Sequence, residues 1–278
     1  MNQLPIVSWI VGMEWRLKVV LLVVCLAMNL YLFLKCRMKG HELWIDVFFK
    51  MLGSNFFCLF IFHRINTRIS IMQANPDQIP FLAQVNWLLV TTLFLFFMGS
   101  YLTRTNPVLR ANRWRETLFP LFCGFLPLLI TVSFGFTEYQ FVKNHALLTN
   151  LFKPMVDIFP GYWSGPSIAL ILGGHAISLW AILHLRRSFS IFTEVRALVT
   201  TGPYRYVRHP LYVGENFSTI GFCYFYPSLF NIAITIIFLV SQRLRSHFEE
   251  QKFLQVIPDY KSFMEKTGAY LPRMLKNN

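Results

Sequence analysis

The chain has 278 residues, of which 55% are hydrophobic and only 14% are charged, and its mean hydropathy is +0.46. Soluble domains carry about 25% charged residues, so this composition excludes an ordinary soluble globule and predicts an integral membrane protein. The net charge of +13 does not indicate nucleic-acid binding. Its Lys and Arg residues lie in short clusters between apolar runs, as membrane topology and contact with anionic lipid head groups require.

Five apolar runs approach the length of about 20 residues that a membrane-spanning helix needs. They are residues 17–34, 45–62, 87–102, 117–136 and 166–185. Basic clusters follow the first, third and fifth runs and precede the fourth. All of them can be cytoplasmic if the N-terminus is outside. Residues 137–165 would then form an outer interfacial loop.

The apolar stretch that follows residue 210 contains Pro227 near its middle. Proline cannot continue a helix without losing a hydrogen bond and clashing with the preceding turn. We therefore expect a hairpin of two helices, residues 211–226 and residue 228 onward, with the second helix continuing into the cytoplasm until Pro258. The fold class predicted is an all-α, polytopic transmembrane helical bundle of about seven membrane helices.

The sequence indicates no metal site, no disulfide framework and no secretory signal. The five cysteines lie in or beside apolar runs without CxxC spacing, which indicates small buried side chains and neither a metal site nor a disulfide framework. The N-terminus lacks the basic start and small-residue cleavage site of a secretory signal.

Residues 198–214 form an unusual polar, basic and aromatic segment, LVTTGPYRYVRHPLYVG. Such groups are costly at the edge of lipid. Gly202 begins a Gly-Pro turn, and Gly214 permits close approach of another backbone. Three tyrosines, two arginines and a histidine lie between these glycines. The segment therefore predicts a loop that binds a polar small molecule with a carboxylate and an aromatic ring system.

His209 and Pro210 are predicted to begin the hairpin's first helix. Proline suits the first turn, where no amide donor is needed, and the free amides there favour a carboxylate. In the second helix Arg245 and Glu249 are four residues apart and share one face, so they can form an ion pair. The hairpin would return this pair to the same side of the membrane as His209.

The string GPYRYVRHPLY, followed by R-x-x-x-E-E, resembles the isoprenylcysteine carboxyl methyltransferase family, to which phospholipid N-methyltransferases are related. The resemblance covers roughly residues 186–273. It implies an integral membrane methyltransferase that uses S-adenosylmethionine. Two features of the tail depart from the family. Tyr260 is followed by Phe263 where the family often has a Tyr-x-x-Tyr pair, and an Arg-x-x-Pro ending is rearranged to Pro272-Arg273.

The resemblance also implies residue roles. Arg245 falls on the arginine that faces the substrate and is the predicted catalytic residue. The predicted cofactor-binding residues are Arg196, Ala197, Leu198, Val199, Tyr204, His209, Pro210, Leu211, Tyr212 and Glu249. The tyrosines would supply aromatic faces, His209 and the helix amides would hold the carboxylate of the cofactor, and Glu249 would hold its ammonium or ribose hydroxyls.

The function expected is S-adenosylmethionine-dependent carboxyl O-methylation of a lipid-like or prenylcysteine-like acceptor at the cytoplasmic face, with membrane lipids but no nucleic acid or metal as partners. Phospholipid N-methylation, an NADPH-dependent sterol-type reductase and a non-catalytic membrane protein stay open as alternatives. Within one integrated domain, residues 1–165 would face the acceptor and lipid, and residues 166–278 would bind the cofactor. Four residues receive no settled role: Arg205, Arg208, Glu215 and Glu250.

Overall fold

The computed structural model describes residues 15–39, 44–74, 80–133, 140–155 and 165–273. Over these ranges the chain is helical with two isolated β-bridges and no strand, which confirms the all-α prediction. The helices are α1 (Trp15–Lys39), α2 (Trp44–Ala74), α3 (Phe81–Thr103), α4 (Trp114–Ser133), α5 (Gln140–Lys143), α6 (Ala146–Phe152), α7 (Gly165–Leu185), α8 (Pro210–Phe225), α9 (Leu229–Val256) and α10 (Tyr260–Lys266).

Five of the described helices are long and apolar enough to cross a membrane: α1, α2, α3, α7 and α9. This confirms an integral membrane helical protein. The predicted run at residues 117–136 overlaps α4 up to Ser133, and residues 134–136 lie outside the described part of the chain. Helix α4 contains Pro120 and Pro127 and is not one of the five. The total of about seven membrane helices stays a prediction.

The described residues divide into two compact units. The first extends to Asn106 and includes Leu185–Phe189, and the second comprises residues 107–184 and those from Ser190 onward. Every predicted site residue belongs to the second unit. The predicted functional division into residues 1–165 and 166–278 stays a prediction.

In the first unit, α1, α2 and α3 pack in series. Asn55 of α2 donates a hydrogen bond to Asn29 of α1 over 3.1 Å. Phe57 of α2 packs against Phe97 and Tyr101 of α3, with ring centroids 5.2 and 5.8 Å apart. The run predicted at residues 45–62 is the first part of a much longer helix, because α2 continues to Ala74.

The second unit contains two short helices where an outer loop was predicted at residues 137–165. Residues 137–139 and 156–164 lie outside the described part of this segment, but α5 and α6 form within it. Leu147 and Leu151 recur four residues apart, a helical spacing that the loop prediction overlooked. The Thr149 hydroxyl donates to the carbonyl of Val142 over 2.8 Å and connects the two helices. The loop prediction was therefore wrong for residues 140–143 and 146–152.

Helices α8 and α9 form the predicted hairpin. Residues 226–228 connect them, and Ser228 caps α9 by accepting a hydrogen bond from the Asn231 amide over 3.1 Å. The Asn231 side chain donates to the Tyr226 carbonyl over 2.9 Å and accepts from the Ser133 hydroxyl over 2.7 Å. These bonds satisfy the polar groups that Pro227 leaves at the break, so the turn is fixed to α4.

Helix α8 also lies unusually close to α7. A Cβ atom added to Gly214 would lie 2.4 Å from the Ser178 hydroxyl oxygen and 2.5 Å from the Gly174 carbonyl oxygen. One added to Gly174 would lie 2.5 Å from the Ser218 amide nitrogen. The two glycines therefore permit direct backbone contact between the helices, as predicted for Gly214.

Candidate active site

The segment that leads into α8 is held by the C-terminal tail. Gly202 has φ of +59° and begins a short 3₁₀ turn, and Pro210 is the first residue of α8. The amides of Arg208 and His209 donate to the carbonyls of Gly268 and Ala269 over 2.8 and 3.0 Å. These backbone bonds fix His209 at the mouth of the helix.

His209 and Arg208 share one carboxylate of α9. Arg208 Nε donates to Glu250 Oε1 over 2.8 Å, and His209 Nε2 lies 3.0 Å from the same oxygen. Arg208 also donates to the carbonyls of Met264 and Thr267. Since all three side chains of the cluster are less than 10% exposed, the ion pair is shielded from solvent and joins the segment before α8, α9 and the tail.

A second cluster lies on the adjoining face of the hairpin. The Tyr212 hydroxyl donates to Glu249 Oε1, and Arg245 Nε lies 3.3 Å from the same oxygen. The Arg245 guanidinium lies over the Tyr212 ring at 4.9 Å from its centroid, a cation–π arrangement. The predicted pairing of Arg245 with Glu249 is confirmed, and Glu249 remains 17% exposed while Arg245 is 7% exposed.

The histidine ring connects the two clusters. His209 stacks on Tyr212 with an interplanar angle of 1° and centroids 5.4 Å apart, and its Nδ1 lies 3.9 Å from Glu249 Oε2. Tyr204 is buried nearby. Burial, followed by the charges of Glu249 and Glu215, raises the pKa of Tyr204, so this phenol stays protonated at neutral pH.

Arg245 is also held by a segment between α7 and α8. Its Nη2 donates to the carbonyl oxygen of Ile191 over 2.8 Å. One helical turn before Arg245, the Gln242 side chain donates to Glu215 Oε2 of α8 over 2.5 Å. Glu215 follows Tyr212 by three residues and therefore lies deeper in the hairpin on the same side.

The tail packs on this site. The Tyr270 hydroxyl donates to the Gln242 carbonyl over 2.9 Å and lies 2.9 Å from the Ser246 hydroxyl. Its ring lies 5.9 Å from that of His209. Burial raises the pKa of Tyr270 to about 12, so its hydroxyl remains a hydrogen-bond donor across the neutral range.

The structure brings only part of the predicted cofactor set together. Tyr204, His209, Tyr212 and Glu249 converge with Arg245, while Pro210 and Leu211 form the buried first turn of α8. Arg196 is buried and bonded to Glu194 over 2.7 Å. No described side-chain bond connects Ala197, Leu198 or Val199 to the cluster, and their roles stay predictions.

Several residues that contact the predicted site were not assigned roles from the sequence. They are Glu250, Gln242, Glu215 and Tyr270. A signal was available: polar residues recur at 242, 245, 249 and 252 in α9, with the three- and four-residue spacing of one helical face. Two residues of this stripe, Gln242 and Glu249, contact α8.

Comparison with known proteins agrees with the motifs. Residues 164–259 match the family model described as phospholipid methyltransferase, and this match confirms the resemblance predicted from the sequence. It contains α7, α8, α9 and every predicted site residue. No curated protein matches the chain.

Proposed function

Because residues 164–259 match the family model described as phospholipid methyltransferase, we propose that this chain transfers the methyl group of S-adenosylmethionine to a lipid-like acceptor at the membrane interface. One observation carries the proposal. Arg245 and Glu249 lie 3.3 Å apart on one face of α9, against Tyr212 of α8. The Glu249 carboxylate can bind a cationic methyl donor, and the neighbouring Arg245 guanidinium can bind an anionic methyl acceptor.

The side chains present suit S-adenosylmethionine, which carries a sulfonium cation, an adenine ring and a zwitterionic amino-acid end. Glu249 retains 17% exposure and would hold the ammonium or the ribose hydroxyls. Tyr204 and Tyr212 offer aromatic faces. The amides in the first turn of α8 and His209 would hold the carboxylate. Gln242 Oε1 is buried without a hydrogen-bond donor among the described residues and supplies a further acceptor.

Arg245 supports a carboxylate acceptor. A guanidinium can orient a carboxylate through two parallel hydrogen bonds, and the Ile191 carbonyl and the Tyr212 ring fix its plane. A carboxylate needs no general base, because it is already ionised. When bound, S-adenosylmethionine supplies an activated methyl group. Alignment by Arg245 then provides an effective-molarity advantage that reaches about 7–11 kcal/mol in favourable cases.

Glu215 supports an amine acceptor as a second candidate. Its carboxylate lies one turn deeper in the hairpin than Tyr212 and is held by Gln242 over 2.5 Å. A negative charge on that side would attract a lipid ammonium group and accept the proton that an amine must lose before methylation. The acceptors therefore divide into a carboxylate recognised by Arg245 and an amine recognised by Glu215.

The test uses the full chain in detergent micelles. Calorimetric titration with S-adenosylmethionine and with NADPH should show binding of the former alone. Transfer of a labelled methyl group to an S-prenylated N-acetylcysteine is then compared with its transfer to phosphatidylethanolamine. NADPH binding without S-adenosylmethionine binding would support the reductase alternative. Donor binding with no labelled product from either acceptor would support a non-catalytic protein.

We also propose that the site faces the cytoplasm, because the basic clusters between the apolar runs favour that orientation. The exposed residues Tyr206 and Gln251 flank the site from α8's leading segment and from α9. After the native cysteines are replaced by serine, single cysteines at these positions should both react with an impermeant thiol reagent from the cytoplasmic side. Labelling of the two positions from opposite sides would contradict a shared cavity.

A further inference from the structure

Lys252 is a buried cation that the proposed reaction does not use. It lies on α9 seven residues after Arg245, so both side chains share one helical face about 10 Å apart along the axis. The Lys252 side chain is 6% exposed and pairs with Glu116 of α4 over 2.7 Å. A buried lysine needs hydrogen-bond acceptors for its ammonium group, because an unpaired buried charge is strongly destabilising.

All three donors of the Lys252 ammonium have an acceptor. Besides Glu116 Oε2, Nζ donates to the carbonyl of Arg110 over 2.6 Å and to the carbonyl of Thr193 over 3.1 Å. The side chain therefore joins three parts of the second unit: α9, the start of α4 with the residues before it, and residues 190–196, which we call the strap.

The strap has further fixed points on the same elements. The Thr193 amide donates to the Glu116 carbonyl over 2.9 Å, and the Val195 amide donates to the Leu109 carbonyl over 2.9 Å. Two residues before Thr193, the strap presents the Ile191 carbonyl to Arg245 Nη2 over 2.8 Å. Lys252 and Arg245 thus attach to neighbouring positions of one short segment.

We propose that Lys252 is a positioning residue for Arg245. By fixing Thr193, Lys252 sets the position of the Ile191 carbonyl, and that carbonyl sets the plane of the Arg245 guanidinium. Glu249 and Tyr212 also bond to each other across the hairpin, and this contact does not involve the strap. The inference rests on the proposed function, in which Arg245 orients the acceptor and Glu249 holds the donor.

The test replaces Lys252 with methionine, which keeps its length and removes its charge. The matched control is Gln255→Met, one turn further along α9 at an exposed position. Donor affinity and acceptor kcat/KM are measured on the full chain in micelles, with whichever of the two acceptor probes the wild-type protein methylates. We expect Lys252→Met to retain donor affinity within twofold and to lower acceptor kcat/KM at least tenfold, while the control stays at the wild-type value.

A second variant, Glu116→Gln, covers a failure of Lys252→Met to fold. It removes the ion pair but keeps the carbonyl contacts of Lys252, so we expect the same split with at least a threefold loss of kcat/KM. Unchanged turnover in the variant recovered would overturn the inference. A parallel loss of donor affinity and turnover would also overturn it, because that pattern indicates general loosening. Absence of donor binding in the wild-type protein would instead contradict the proposed function.

Coupling to Arg245 is measured directly with Arg245→Lys. If Lys252 acts through Arg245, Lys252→Met should lower kcat/KM much less in the Arg245→Lys background than in the wild-type background. An equal loss in both backgrounds would show that Lys252 acts independently and would overturn the positioning role.

Discussion

The Tyr212 hydroxyl donates a hydrogen bond to Glu249 across the hairpin. The tyrosine ring simultaneously faces the Arg245 guanidinium at 4.9 Å. One side chain of α8 therefore contacts both the carboxylate and the guanidinium of α9. The positions of Glu249 and Arg245 therefore depend on the distance between α8 and α9.

Tyr212→Phe should separate the two roles of this side chain. The variant keeps the ring beneath Arg245 and loses the bond to the charged Glu249, at a cost of roughly 1.5–3 kcal/mol. We expect S-adenosylmethionine binding to weaken roughly 10- to 100-fold in calorimetry. Tyr206→Phe, at a residue that is 53% exposed, is the matched control. Equal donor affinities for Tyr212→Phe and wild type would show that the hydroxyl does not orient Glu249 for the donor.

Glu249→Gln should remove the charge that the donor's ammonium requires while keeping the size of the side chain. A hydrogen bond to a charged group contributes about 1.5–3 kcal/mol, so donor affinity should fall roughly 10- to 100-fold. The exposed Glu265→Gln serves as a control for the charge change. Folding is checked by thermal unfolding. Wild-type donor affinity in folded Glu249→Gln would exclude Glu249 from the cofactor site.

Arg245→Ala should affect methyl transfer to the acceptor and leave donor binding intact. Because its guanidinium is proposed to orient the acceptor, turnover should fall by at least about 100-fold while donor binding is retained. Arg243→Ala, two residues earlier and exposed, should leave both properties unchanged. Simultaneous loss of donor binding in Arg245→Ala would place Arg245 in the cofactor site and remove its assignment to the acceptor.

The sequence predicted the hairpin well because its cause is local. Pro227 breaks an apolar run, and Ser228 supplies the cap of the next helix. The pairing of Arg245 with Glu249 was likewise predictable from four-residue spacing within one helix. Long apolar runs gave the approximate positions of α1, α2, α3 and α7.

Sequence patterns could not predict the contacts between distant parts of the chain. The bond between His209 and Glu250 joins residues 41 apart, and the pair of Lys252 with Glu116 joins two helices whose packing no local spacing determines. The helix at residues 146–152 was missed because its seven residues allow a single recurrence at helical spacing, Leu147 and Leu151, which is too short to be a clear periodic signal. Tertiary packing, and not local propensity, selects these features.

The raised pKa of Tyr270 predicts that the protein loses stability at high pH. Burial raises its pKa to about 12, whereas a phenol in an unfolded chain titrates near 10. Its contribution is therefore complete below pH 10 and declines as the pH rises towards 12, because only the unfolded state releases the proton readily. Thermal unfolding of Tyr270→Phe and wild type should show a difference that shrinks across this interval. A constant difference from pH 9 to 12 would contradict the raised pKa.

Gly214→Ala tests whether close contact between α7 and α8 supports the site. The added methyl group would lie 2.4 Å from the Ser178 hydroxyl oxygen and 2.5 Å from the Gly174 carbonyl oxygen, so backbone must move. We expect a destabilisation of about 1–3 kcal/mol, together with weaker donor binding because α8 carries Tyr212. Gly173→Ala is the matched control, since its added Cβ meets no atom within 4 Å, and it should be neutral or slightly stabilising. If Gly214→Ala unfolds and binds donor like Gly173→Ala, the backbone contact between these helices is not what positions Tyr212.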